Sequence, residues 1–148
     1  MRIRDAIPAD VDALLALQNE APTASQWSYE QYRQAITNRE PVRLFLIVEQ
    51  ESEVRGFLVA REVAGEWEIE NVIVASEVRR QGYGAQLLAE FFNRARTARA
   101  QAVALEVRES NSAARHLYEA CGFKEVSRRK LYYQAPTEDA LLYEFKFL

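Results

Sequence analysis

The sequence has little of what disulfides, metal sites and membrane spans require. Its 148 residues include one cysteine and one histidine, so the chain has no internal disulfide and lacks the usual nitrogen and sulfur ligands of a zinc site. The longest apolar run, Leu44 to Val48, is far shorter than the roughly 18 residues of a membrane helix. The first residues also lack the apolar core and cleavage site of a secretory signal. We therefore expect a cytosolic protein without a metal ion or membrane contact.

Basic residues are not in excess either. Lys and Arg number 19 against 22 Asp and Glu, which gives a formal net charge of -3 at pH 7. Nucleic-acid binding draws much of its affinity from clustered cations, so we expect no direct nucleic-acid partner. The 49% hydrophobic and 28% charged fractions are those of an ordinary globular chain. A single domain over residues 1–148 fits this length.

Hydrophobic period and turn residues predict an alternation of strands and helices. In chain order the predicted elements are a strand at 1–6, a helix after Pro8, a helix at 29–37 with a Ser28–Gln31 capping box, antiparallel strands at 42–50, 53–63 and 67–76, a long helix from Gly84 to about Ala100, a strand at 101–108, a helix at 111–121 and a closing hairpin of 125–134 and 139–148. This order predicts a mixed α/β fold with an antiparallel beginning and a central βαβ unit.

A glycine-rich loop, RRQGYG at 79–84, lies between a predicted strand and the long helix. Its two glycines let the backbone turn sharply and expose N–H groups, and the helix N-terminus adds partial positive charge. The loop therefore predicts a pyrophosphate site. It is not a P-loop, because no Gly-Lys-Ser/Thr follows, and Leu87 stands where a dinucleotide fingerprint has its third glycine. The alternative is a tight turn with two solvated arginines.

Glu106 stands out in the strand QAVALEVR at 101–108. Side chains alternate along a strand, so Glu106 points away from the apolar Val103, Leu105 and Val107. Its neighbours on that face, Ala102 and Ala104, are small and leave room for a cleft. Poor solvation there is expected to raise the pKa of a carboxylate towards that of a general base. The alternative is an ordinary exposed or arginine-paired Glu.

Tyr118 follows Asn111 by seven residues and shares its helix face. A phenol remains protonated at pH 7 and can donate to a departing thiolate, whose conjugate acid has a lower pKa. The alternatives are a core tyrosine and, for Asn111, a helix N-cap. Cys121 is expected to pack at the end of this helix, where the dipole disfavours a thiolate.

These motifs together resemble a known family. VRRQGYGAQLL at 78–88 is similar to the Q/R-x-x-G-x-G/A acetyl-coenzyme A signature of the GNAT superfamily of N-acetyltransferases. LEVRESNSAARHLYEACGF at 105–123, with RRKLYY at 128–133, resembles the RimI type of ribosomal-protein alanine N-acetyltransferase. The resemblance implies a GNAT fold: one mixed, mostly antiparallel sheet of six or seven strands, about four helices and a central βαβ unit that binds acetyl-CoA.

Carried over by position, the resemblance implies that Glu106 is the general base and Tyr118 the general acid. The acetyl-CoA residues would be Asn111, the backbone of Val72, Ile73 and Val74 at the pantetheine arm, and Arg79, Arg80, Gln81, Gly82, Tyr83, Gly84 and Ala85 at the pyrophosphate. The acceptor would be the N-terminal amine of a protein, foremost an N-terminal Ala of a small-subunit ribosomal protein, and the loop at 20–26 would border its groove.

Several alternatives stay open. Glu68 and Glu70 on the fourth strand are rival bases. A small amine, such as a polyamine or aminoglycoside, is an alternative acceptor, and a non-catalytic module that binds acetyl-CoA is a third function. A protein acceptor would be recognised through five residues: Trp27, Tyr132, Tyr133, Glu138 and Asp139.

Overall fold

The computed structural model describes residues 1–147 and confirms the predicted mixed α/β fold. Its seven strands are β1 (Arg2–Asp5), β2 (Arg43–Gln50), β3 (Glu53–Val63), β4 (Glu66–Val74), β5 (Ala102–Arg108), β6 (Lys124–Tyr133) and β7 (Glu138–Lys146). The α-helices within the described range are α1 (Val11–Asn19), α2 (Tyr29–Thr37), α3 (Tyr83–Thr97) and α4 (Ser112–Ala120). Two short 3-10 helices, Pro8–Asp10 and Ser76–Val78, precede α1 and α3. None of the helices between residues 1 and 147 is both long and apolar enough to cross a membrane.

Local capping explains why two helices lie where the sequence places them. Before α2, the Gln31 backbone N–H donates to Ser28 Oγ at 3.1 Å and the Ser28 N–H donates to Gln31 Oε1 at 2.8 Å. These bonds confirm the predicted capping box. At the end of α4, Gly122 has a φ of 99° and the Phe123 N–H donates to the Tyr118 carbonyl at 3.0 Å. A left-handed glycine therefore ends the helix as predicted.

The boundaries of α3 differ slightly from the prediction. It begins at Tyr83 rather than Gly84, because Gly82 takes the left-handed conformation that precedes the first helical residue. It ends at Thr97 rather than near Ala100, because Arg99 also adopts a positive φ, of 61°, and turns the chain towards β5. Apolar periodicity alone does not locate such backbone reversals.

The sheet has the strand order β1-β2-β3-β4-β5-β7-β6. Neighbouring strands are antiparallel except β4 and β5, which are parallel and are joined by α3. Parallel neighbours require a crossover, usually a helix, so the predicted central βαβ unit is confirmed. The core includes the fully buried side chains of Tyr32, Phe57, Leu88 and Phe91.

β4 and β5 separate after a short contact. Their pairing covers Trp67–Ile69 against Val103–Leu105. At this point the register between β3 and β4 shifts, since Ala60 pairs with Ile69 and Val59 with Asn71, which leaves Glu70 as an extra residue. Such a bulge bends its strand and increases the local twist. The carboxyl ends of β4 and β5 therefore border a cleft that opens into the sheet.

Candidate active site

A cavity of about 250 Å³ occupies the cleft between β4 and β5. Its lining residues are Pro22, Thr23, Ala24, Ser25, Gln26, Ile69, Glu70, Asn71, Val72, Glu106, Val107, Arg108, Asn111, Ala114, Tyr118 and Tyr133. The cavity thus brings together the predicted base, the predicted acid and the predicted acetyl-CoA contacts Val72 and Asn111. Residues distant in sequence meet here because the two strands diverge.

The edge of β4 that faces the cleft is available to a ligand. Val72, Ile73 and Val74 pair with β3 on one side, whereas the described pairing with β5 ends at Ile69. Backbone N–H and C=O groups along this edge can therefore bond an extended amide chain as an added strand does. This edge is where the pantetheine arm is predicted to lie, and that assignment stays a prediction.

The loop before α3 has the geometry of an anion site. Gly82 is the N-cap of α3 with a φ of 82°, and no side chain caps this end, so the first N–H groups of the helix lack intrahelical acceptors. Arg79, Arg80 and Gln81 are exposed beside it. Helix N-termini with free N–H groups favour phosphate, which supports the predicted position of the pyrophosphate.

Gly84 has a separate, steric role in this loop. A Cβ at Gly84 would lie 2.9 Å from Leu117 Cδ2 of α4, closer than carbon atoms can approach. The first turn of α3 therefore packs against the helix that carries Tyr118. This contact links the position of the anion site to that of the predicted acid.

Glu106 lies at the cleft, but the expected poor solvation is wrong. Its side chain is 33% exposed, and its Oε1 lies 3.4 Å from Arg129 Nη2 of β6. The small neighbours Ala102 and Ala104 are buried and half-buried and do not line the cavity, so the cleft beside Glu106 does not form above them. The carboxylate therefore depends on Arg129 and water, rather than on burial, for its electrostatic environment.

The rival bases are less available than Glu106. Glu70 lines the cavity, but Arg43 holds its carboxylate with Nε at 2.9 Å and Nη2 at 3.3 Å. Glu68 pairs with Arg61 at 3.1 Å and is not among the lining residues. Of these three carboxylates, Glu106 combines cavity access with the weakest ion pair.

Tyr118 is 6% exposed, and its ring packs 5.6 Å from the ring of Phe123. Burial, with a smaller effect from Cys121, raises the pKa of Tyr118 above its ordinary value of 10.0. Within residues 1–147 no side chain hydrogen-bonds its hydroxyl. The phenol is therefore held protonated at the cavity wall. Asn111 caps α4, since its Oδ1 accepts from the Ala114 N–H at 3.3 Å.

The loop between α1 and α2 forms a wall of the cavity. Gln18 bonds both backbone groups of Trp27, donating to its carbonyl and accepting from its N–H at 2.8 Å each. Asn71 Nδ2 donates to the Ser25 carbonyl at 3.0 Å. Two buried amides therefore anchor this loop, and no motif in the sequence marks either of them.

Arg108 organises the opposite wall. Its guanidinium lies 4.2 Å from the ring centre of Tyr133 and donates to the carbonyls of Gln134 and Pro136 at 3.2 and 3.0 Å. It also pairs with Glu138 at 3.3 Å. A single arginine thus fixes the turn between β6 and β7 and orients Tyr133 towards the cavity.

Two predicted recognition residues make internal contacts. Glu138 accepts from the Ser110 N–H at 2.9 Å in addition to its pair with Arg108. Asp139 is buried and accepts from the Leu131 N–H at 2.9 Å and from Arg128 at 3.1 Å. Neither lines the cavity, and both carboxylates satisfy donors of their own chain, so a role in recognising an acceptor stays a prediction.

Cys121 is half-buried at the end of α4, where burial raises the pKa of its thiol. Such a thiol is a poor nucleophile at neutral pH. The predicted packing role of Cys121 therefore fits its surroundings.

The divergence of β4 from β5, the open edge of β4 and the uncapped N-terminus of α3 define a class of protein whose site can hold an extended, phosphate-bearing ligand. The chain belongs to the acetyltransferase (GNAT) family, whose model matches residues 11–123. This confirms the family resemblance seen in the sequence.

The relatives include N-acetyltransferases named for ribosomal proteins and for α-amines. The "[Ribosomal protein bS18]-alanine N-acetyltransferase" of Haemophilus influenzae is 36% identical over 88 residues, which are 60% of each chain. The match thus spans about 60% of the length of that relative. An N-alpha-acetyltransferase of Sulfurisphaera tokodaii is 32% identical over 95% of this chain and 90% of its own. The structure of the ribosomal-protein-S18-alanine N-acetyltransferase from Escherichia coli superposes with a TM-score of 0.85 at 27% identity, covering 98% of this chain and 92% of that one.

Proposed function

We propose that this protein is an acetyl-CoA-dependent N-alpha-acetyltransferase that modifies the N-terminal amine of a protein. The acceptor proposed first is an N-terminal Ala of a small-subunit ribosomal protein, the substrate in the names of two of its relatives. The observation that carries the proposal is the cavity between β4 and β5, in which Glu106 and Tyr118 meet beside an open strand edge. A cytosolic enzyme without membrane or nucleic-acid contact accords with such a substrate.

The site fits acetyl-CoA at both ends. The uncapped N-terminus of α3, at residues 82–85, together with Arg79 and Arg80, would hold the pyrophosphate. Val72, Ile73 and Val74 would pair with the pantetheine arm through backbone groups, and Asn111 lies at the cavity wall. Bound acetyl-CoA supplies a thioester carbonyl for attack by an amine.

Glu106 and Tyr118 would divide the proton transfers. Glu106 is an exposed carboxylate that can accept the proton lost by the attacking amine, directly or through water. Tyr118 holds a proton at Oη, because burial raises its pKa, and can donate it to the leaving sulfur. Direct transfer requires no covalent enzyme intermediate, which accords with the poor nucleophile at Cys121.

The chemistry of the acceptor favours an α-amine. An α-amino group has a reference pKa of about 7.7 to 8.0, against about 10.4 for lysine. A larger fraction of it is therefore neutral at pH 7, and a modest base suffices to complete the reaction. The aromatic residues Tyr132 and Tyr133 remain candidates for contact with the peptide.

The test is an assay of acetyl transfer from acetyl-CoA to a candidate acceptor. Release of the free thiol of CoA measures the rate, and mass spectrometry of the acceptor identifies the product. A synthetic peptide with the first residues of the ribosomal protein and an N-terminal Ala should gain one acetyl group at its α-amine. The same peptide with a blocked N-terminus is the matched control and should not react. Preferential reaction with small amines would support the alternative acceptor, and binding of acetyl-CoA without transfer to any acceptor would support a non-catalytic module.

A further inference from the structure

The charged side chains that line the cavity are all paired. Glu70 lies 2.9 Å from Arg43, and Glu106 lies 3.4 Å from Arg129. The lining cation, Arg108, pairs with Glu138 at 3.3 Å. Among the described residues, every carboxylate and guanidinium at the cavity wall thus has a partner of opposite charge.

A cavity wall whose charges are all paired favours some classes of amine over others. Polyamines carry several ammonium groups with lysine-like pKa values and remain multiply charged at neutral pH. Moving such a cation out of water requires unpaired carboxylates in compensation, and this wall offers none among its described residues. An α-amine, by contrast, is partly neutral and brings a single charge at most.

We propose that this charge balance restricts the acceptor to a single α-amine and that Arg129 is the residue that determines this specificity. The inference rests on the proposed acetyltransfer and extends it to the choice between a peptide terminus and a polyamine. Arg129 excludes a second ammonium group by occupying the Glu106 carboxylate, which is more exposed than Glu70, the other carboxylate among the described lining residues.

Arg129 is the pairing arginine that can be changed with little effect on the fold. Its side chain is 52% exposed, whereas those of Arg43 and Arg108 are 16% and 14% exposed. Its guanidinium carbon also lies 5.0 Å from the centre of the Tyr132 ring. Replacing Arg129 therefore leaves Glu106 unpaired without opening the core.

The experiment compares kcat/KM for an uncharged peptide beginning with Ala and for spermidine, at low ionic strength. In Arg129→Gln the ratio of peptide to spermidine should fall by about fivefold, the effect of one exposed charge pair. Arg129→Lys keeps the charge and should keep the parent ratio. Lys130→Gln removes an equal charge from the next residue, which pairs with Asp139 rather than Glu106, and should also keep it.

The possible results distinguish a failure of this inference from a failure of the proposed function. A ratio that falls in Arg129→Gln and holds in both controls supports the role of Arg129. If the parent acetylates the peptide and all four proteins share one ratio, the role of Arg129 is wrong and the proposed function stands. If Lys130→Gln lowers the ratio as much, general surface charge replaces the specific pair. A parent that prefers spermidine overturns both proposals.

Discussion

Replacing Glu106 by Gln separates catalysis from stability more cleanly than other changes at this site. The substitution preserves the shape of the side chain and removes its charge and its capacity to accept a proton. Its structural cost is small, because the ion pair with Arg129 joins side chains that are 33% and 52% exposed. Exposed ion pairs contribute about 1 kcal/mol or less to the free energy of unfolding. The Tm of Glu106→Gln should therefore fall by less than about 4 °C in a chain of this size.

The catalytic cost should be much larger. Loss of a general base typically slows a reaction by about 100-fold or more, equivalent to about 2.7 kcal/mol in the barrier. We therefore expect a kcat at least about 100-fold below that of the parent, with unchanged affinity for acetyl-CoA. Stopped assays of thiol release give kcat, titration calorimetry gives the affinity, and thermal melts give Tm.

Glu68→Gln is the matched control. Glu68 forms a similarly exposed pair with Arg61, at 3.1 Å, on the same sheet but outside the cavity lining. The Glu68→Gln variant should have a Tm comparable to that of Glu106→Gln, and its kcat should be within about twofold of that of the parent. A Glu106→Gln enzyme that retains the parent rate would refute the assignment of the base, and a collapse in Glu70→Gln instead would transfer that role to Glu70.

Two further changes test the acid and the fold. Tyr118→Phe should lower kcat more than KM. The parent should show no loss of kcat from ionisation of Tyr118 up to about pH 10, because burial raises the pKa of Tyr118. Equal rates for the variant and the parent at all pH values would show that Tyr118 only packs. Asp10→Asn should reduce the free energy of unfolding at pH 7 by about 2 kcal/mol, since Asp10 accepts from Arg4 at 2.8 and 2.9 Å and from the Ile7 N–H at 2.8 Å. Burial by itself opposes ionisation of Asp10, but these bonds lower its pKa below 3.8, so the parent's advantage should persist above about pH 5 and shrink as the pH falls below 3.8. Urea unfolding at several pH values measures the difference in free energy of unfolding between the parent and Asp10→Asn. A difference that does not change with pH would contradict this prediction.

Local features of the fold were predictable from the sequence. The capping box at Ser28 and the glycine end of α4 depend on hydrogen bonds between residues within a few positions of each other. The βαβ unit also follows from local pattern, because a parallel pair of strands requires an intervening crossover. The glycine loop belongs to this group, since its turn is set by the conformational freedom of Gly82 itself.

The electrostatics of the site were not predictable in this way. Small neighbours suggested a poorly solvated Glu106, but the approach of β6 decides its exposure and supplies Arg129. The carboxylates of Glu138 and Asp139 resembled a recognition surface, whereas the sheet turns them onto donors of their own chain. The separation of β4 from β5 depends on a register shift against β3, which the pattern of β4 alone does not reveal.

By itself, the sequence determined which residue types are present, where most elements begin and end, and that a glycine-rich turn, an acid and a phenol follow one another along the chain. Tertiary structure decided that the acid and the phenol share one cavity, and which of the paired carboxylates remains exposed there. The reason is physical: helix caps and turns are satisfied by near neighbours, whereas solvation and charge pairing depend on whichever strands the completed sheet places side by side.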